Sequence, residues 1–196
     1  MYAARAGRFL TVAVVCAVTL LVGGCSGDDK AQNPKADPSG TASGGELVPV
    51  QSKVGKVAGA LKPAAAAAAV KAISPVVDGW FEAGYVGGDY PRTTFGAAFP
   101  GFTRGAAADA TKDAALMTNK AIGADVDGVT ANLKQIEVDL LAANRRAAGA
   151  TARFTLVFTT TGTYAKEVSV KGRLFLTKGS AGKWQVFGYN VTRSAR

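Results

Sequence analysis

The apolar residues of this chain change period near Val129, from helical spacing before it to alternation after it. Before that point Val70, Ile73, Val77, Trp80, Phe81 and Gly84 recur at i, i+3, i+4 and i+7, which marks one face of a helix. Pro75 falls inside the pattern, and the unbroken stripe reads as one helix bent there, ended by Gly87-Gly88. The stretch 89–105 mixes Pro, Gly and three Phe into short helices and turns; 106–122 favours a further helix, stopped by Gly123. After the switch four segments alternate: 133–142 through Ile136, Val138 and Leu140; 151–160 through Phe154, Leu156 and Phe158; 166–177 through Val168, Val170, Leu174 and Leu176; 183–192 through Trp184 and Val186. The breaks between them are short and rich in turn residues, so consecutive strands pair antiparallel. The expected class is α+β, with N-terminal helices packed on one face of a curved four-strand antiparallel sheet, over residues 62–193.

The chain ahead of this domain reads as an address and a tether. Arg5 and Arg8 precede an apolar run over 9–22, followed by Gly23-Gly24-Cys25. A basic start, a short apolar stretch and small residues describe a secretory signal over 1–24. A membrane span needs about 20 apolar residues, so an uncleaved anchor is the weaker reading. Val22-Gly23-Gly24-Cys25 resembles the bacterial lipobox. That resemblance implies a diacylglyceryl thioether on Cys25 after cleavage just before it, which would hold the domain at the outer face of the cytoplasmic membrane. Residues 25–61 are then the acylated cysteine and a flexible linker. Its part 26–45 has no Val, Ile, Leu, Met or aromatic residue and is expected to be disordered. The part 46–61 carries scattered Leu and Val and reads as linker or as a segment on the domain edge.

The phrases WFEAGYVGGDY, ending the first helix, and GKWQVFGYNVTR, closing the meander, resemble the nuclear transport factor 2-like (cystatin-like, SnoaL-like) cone. Stand-alone actinobacterial lipoproteins, mammalian-cell-entry-associated proteins and the domain preceding some transpeptidases are similar. The resemblance implies a cone lined by Trp80, Phe81, Tyr85, Phe95, Phe99, Phe154, Phe158 and Trp184. It does not single out a function, because such cones host dehydratases, isomerases, ligand carriers and accessory domains.

Chemistry narrows the choice. The chain has no histidine, and its two cysteines, Cys16 and Cys25, lie outside the expected domain. A Ser-His-Asp triad, a Cys-His pair and a His- or Cys-ligated zinc are therefore excluded from it. Asp78 and Glu82 share a helix face away from the apolar stripe and read as solvated, near Lys71. Glu137, Asp139 and Glu167 alternate with core residues and point outward. Asp89 and Asp109 stay unplaced, and a small dehydratase or isomerase using an acid such as Asp89 is the enzymatic alternative. Asp125-Val126-Asp127-Gly128 reads as a polar turn: a calcium loop of the EF-hand type wants Glu at its twelfth position, which here is Ile136. No cofactor and no metal is expected.

The net charge is +9, or +7 once Arg5 and Arg8 are removed. Arg145 and Arg146 sit in the first hairpin loop, and Lys166, Lys171, Arg173, Lys178 and Lys183 on the second hairpin and its neighbours. They form either a solvated basic face or a surface for anionic lipid or cell-wall polymer. No aromatic interleaving of the nucleic-acid type accompanies them. Leu141, Val157, Phe175, Phe187 and Tyr189 fall on the parity opposite to the core, where a wet sheet face should be polar. A protein partner, a second copy of the chain or the segment 46–61 would cover them. The function expected is that of a membrane-anchored extracytoplasmic binding or accessory domain without catalysis, for a hydrophobic ligand or a protein partner. A structural subunit of a membrane or cell-wall complex is the other non-enzymatic reading.

Overall fold

A computed structural model describes residues 48–196; the expected signal peptide, Cys25 and most of the expected linker lie outside the described residues. The elements run β1 (Gln51–Ala58), α1 (Pro63–Phe81), a π-helical turn (Glu82–Val86), α2 (Arg104–Lys112), α3 (Ala114–Met117), β2 (Val126–Ala143), β3 (Arg146–Gly162), β4 (Glu167–Lys178) and β5 (Trp184–Ala195). The architecture is α+β, with one five-stranded sheet in the order β1-β2-β3-β4-β5. No helix among the described residues is long and apolar enough to cross a membrane.

The sheet differs from the expected four-strand antiparallel meander by one strand. β2 to β5 pair antiparallel, but the segment 51–58, expected within the linker, pairs parallel to β2 and makes the sheet mixed. Its sequence QSKVGKVA has no buried residue, so its side chains carry no alternation to read. It is held instead by its backbone and by two carboxylates, Glu137, which pairs with Lys53 (3.3 Å), and Asp139. The Lys56 amide donates to Asp139 Oδ1 (2.7 Å), and Arg153 Nη2 donates to the same oxygen (2.9 Å). A Cβ on Gly55 would lie 2.3 Å from Asp139 Oδ1, so glycine is what lets the strand close on that carboxylate. Burial pushes the Asp139 carboxyl up, but the Lys56 amide and the Arg153 guanidinium outweigh it and hold it below its ordinary value. The stabilisation is therefore present above the unfolded value of about 3.9 and is lost as pH falls through the folded one. Asp139→Ala is expected to speed hydrogen exchange of the β1 amides about tenfold, the worth of one charge-assisted bond, with β3 and β4 amides unchanged. Equal protection in variant and wild type would mean the backbone ladder alone holds β1.

Helix α1 runs through Pro75 as a single helix, and Ser74 Oγ donates to the Val70 carbonyl (2.8 Å) beside the proline. Ile73, Val77, Trp80 and Phe81 on its inner stripe are fully buried, each worth about 1.5–3 kcal/mol of transfer free energy. The expected helix over 106–122 is shorter, broken at Asp113 into α2 and α3. The first strand of the meander begins at Val126 rather than 133, because irregularities at 126–128 and 131–133 interrupt its alternation. Asp125-Val126-Asp127-Gly128 is thus the entry to β2, with the Asp125 carbonyl accepting from the Tyr164 amide (2.9 Å).

A bulge in β5 corrects a further expectation. Between the pairs Phe175–Gly188 and Leu176–Val186 the register shifts, so Phe187 has no partner on β4. A bulge inserts one residue and reverses the parity of everything after it. Phe187 stays on the outer face, but Tyr189, expected there too, pairs with the core residue Leu174 and packs against the core. Val191 follows it inward, and Arg193 pairs with the core residue Val170. The described part of the segment 46–61 does not cover the outer face either: its strand lies at the sheet edge beside β2. The other edge is capped at its start, where the Thr103 amide donates to the Val186 carbonyl (2.8 Å).

Candidate functional site

The interior between helix and sheet is built by residues that α1 and β3 aim at each other. The Trp80 ring centroid lies 5.4 Å from Phe81, 5.5 Å from Tyr85, 6.2 Å from Phe102 and 5.2 Å from Phe154. Phe81 also meets Phe154 at 5.5 Å, and Tyr85 meets Phe158 at 5.9 Å. Five of the expected lining residues thus share one ring cluster, in which every ring is in contact distance of another. Phe95 and Trp184 stand apart from it, and Phe99 joins it only through Phe102. Phe95 lies under the Arg92 guanidinium at 4.2 Å, Phe99 packs on Phe102 at 5.4 Å, and Trp184 sits at the hairpin end under Lys178. Phe102 is a ring of the cluster that the helical stripe did not reveal, because it comes from the irregular segment before α2.

Polar groups around the cluster are engaged. Trp80 Nε1 donates to the Met117 carbonyl (3.1 Å), and the Tyr85 hydroxyl to the Leu116 carbonyl (2.7 Å). Asn119 Nδ2 donates to the Tyr85 carbonyl (2.9 Å) and the Tyr90 hydroxyl (3.0 Å). Arg193 donates through Nη1 to the Thr118 carbonyl (2.8 Å) and through Nη2 to Asn119 Oδ1 (3.0 Å). Burial pushes the Tyr85 phenol far above its ordinary range and the Arg193 guanidinium somewhat below its own. This network ties the turn after α3 to β5.

Asp78 and Glu82 are partly exposed, and each is paired with a lysine other than the one expected. Lys134, on the inner face of β2, points under the helix and donates to Asp78 Oδ1 (3.0 Å) and to Glu82 Oε1. Its side chain is 4% exposed, while each carboxylate is 36% exposed. Lys71, expected near them, is exposed. Burial pushes the Lys134 ammonium down, but the two carboxylates outweigh it and hold it above its ordinary value. Paired with both carboxylates, the ammonium bridges the helix and β2. Its position was legible from its parity with Ile136, Val138 and Leu140; its partners were not.

Two surfaces remain open. On the outer face Leu141 is 58% and Phe187 55% exposed, and the Phe175 and Phe187 rings lie 6.3 Å apart. Val157 is half-buried on the same face, beside Leu133. At the hairpin end a groove of about 700 Å³ runs between α1 and the two tips, over Ala65, Ala68, Ala72 and Val76, with Trp184 and four cations around it.

No family model, curated protein or solved structure matches this chain.

Proposed function

We propose that this chain is a non-catalytic binding domain, held by a lipid on Cys25 at the outer face of the cytoplasmic membrane, that works by docking a second copy through the outer face of its sheet. The observation that carries this reading is the Phe175–Phe187 ring pair: Phe187 lies on the outer face beside Phe175, 55% exposed where an open sheet face would be polar. On the same face Glu137 and Asp139 are already paired with Arg153, so the exposed rings rather than unlike charges carry the contact. The engagement of the inward ionisable groups supports binding over turnover: Lys134 is a paired cation and Tyr85 a bonded neutral phenol. The lipobox-like Val22-Gly23-Gly24-Cys25 supports the anchor.

Sedimentation equilibrium of residues 43–196, the compact unit that holds all the described core, tests the docking. Self-association is expected in wild type and monomer in Phe187→Asp, with identical circular dichroism. A wild type that stays monomeric to millimolar concentration overturns the reading.

A further inference from the structure

We infer that the groove at the hairpin end binds an anionic lipid of the membrane surface, its acyl chain along α1 and its headgroup among Arg145, Arg146, Lys178 and Lys183. This site is separate from the outer sheet face and does not depend on docking there. The floor comes from one helix face. Ala65, Ala68, Ala72 and Val76 line it, and Ala68 and Ala72 are exposed. These positions extend about 16 Å along the helix at 1.5 Å per residue. Apolar helix surface of that length is long enough for part of an acyl chain, and alanine keeps the groove open where a longer side chain would fill it.

The rim comes from two turns. Asn144 (φ 50°) and Arg145 (φ 59°) form the left-handed pair of a two-residue hairpin turn, which puts Arg145 and Arg146 at its tip. The β4–β5 turn brings Lys178 and Lys183, and Lys178 Nζ sits 5.3 Å from the Trp184 ring centroid. No Asp or Glu lines the groove. None of the four cations is in an ion pair among the described residues. The first turn of α1, at the same end, carries no acidic residue. Four uncompensated cations around an apolar floor complement one molecular class, an amphiphile with an anionic head. The site is within reach of the proposed anchor, because the chain from Cys25 to Gln51 spans up to about 85 Å when extended.

Co-flotation of residues 43–196 with vesicles tests the inference, the acyl anchor being absent so that binding reads the groove. Vesicles of equal parts phosphatidylcholine and phosphatidylglycerol are expected to carry the domain, and pure phosphatidylcholine to leave it behind. Arg145→Asn with Arg146→Gln is expected to weaken binding about thirtyfold, Asn being at home in the left-handed region. Lys120→Gln with Lys166→Gln removes the same charge from exposed positions outside the groove and is expected to leave binding unchanged. Ala68→Gln, which fills the floor without changing charge on an exposed helix position, is expected to weaken binding as well. Thermal unfolding confirms that each variant is folded. Equal losses in the two double variants would overturn the site in favour of general attraction. An unaffected Ala68→Gln, or competition by glycerol phosphate as effective as by vesicles, would overturn the acyl component and leave a free anion as ligand. Failure of the wild type to float overturns the inference outright.

Discussion

A Trp80→Ala variant is expected to unfold at much lower urea concentration than wild type, having lost about 4 kcal/mol. Trp80 is fully buried, touches four other rings, and donates Nε1–H to the Met117 carbonyl. Removing the indole leaves a cavity, and that carbonyl loses its indole donor. The surroundings have little room to close it, since Trp80 sits on α1 and Phe154 comes from the facing strand β3. Phe187→Asp, on the opposite face and 55% exposed, is expected to shift monomer stability by no more than about 0.5 kcal/mol. The contrast bears on function as well as on folding. An interior kept open for a hydrophobic ligand tolerates truncation of its lining, whereas one filled by its own rings does not. A Trp80→Ala cost below about 1 kcal/mol would therefore restore the interior as the binding site and displace the surfaces proposed above.

The period of the apolar residues carried most of the fold. The stripe of α1 and the alternation of β2 to β5 follow from burial on one face, which a sequence displays directly. What stayed hidden is what burial does not write. β1 has no inward face, and its attachment depends on a backbone amide meeting Asp139 from more than eighty positions away. The β5 bulge leaves no compositional mark except Gly188 beside Phe187, yet it moves Tyr189 and Arg193 from one side of the sheet to the other. The groove was present in the sequence only as separate parts, an alanine run and cations in two turns. Alanine reads as helix propensity until the topology sets it against two hairpin tips. Lys134 was likewise visible as an inward lysine, but its meaning depends on the helix that crosses it.

That lysine gives the second large effect, an asymmetry between the two sides of one ion cluster. Asp78→Asn combined with Glu82→Gln strands an ammonium whose side chain is 4% exposed and is expected to cost about 3–5 kcal/mol. Lys134→Met is expected to cost about 1 kcal/mol or less, because carboxylates that are 36% exposed can turn to water while the thioether fills the lysine's apolar track. The sign of the pH dependence follows from the same geometry. With the folded ammonium held above its unfolded value of about 10.4, its contribution is whole below that pH and is lost as pH rises through the folded value. Wild type is therefore expected to lose stability in alkali by a component that Lys134→Met lacks, read as the change in urea midpoint between neutral pH and pH values above about 10. If the methionine variant were as unstable as the double amide variant, the carboxylates rather than the lysine would be the stranded charges. The cluster would then be more enclosed by α1 than its exposure indicates, and two buried carboxylates would have to be weighed again as an acid–base pair. If the asymmetry holds, Lys134 serves to fix the register of α1 on β2, and the chemistry of this domain lies on its surfaces.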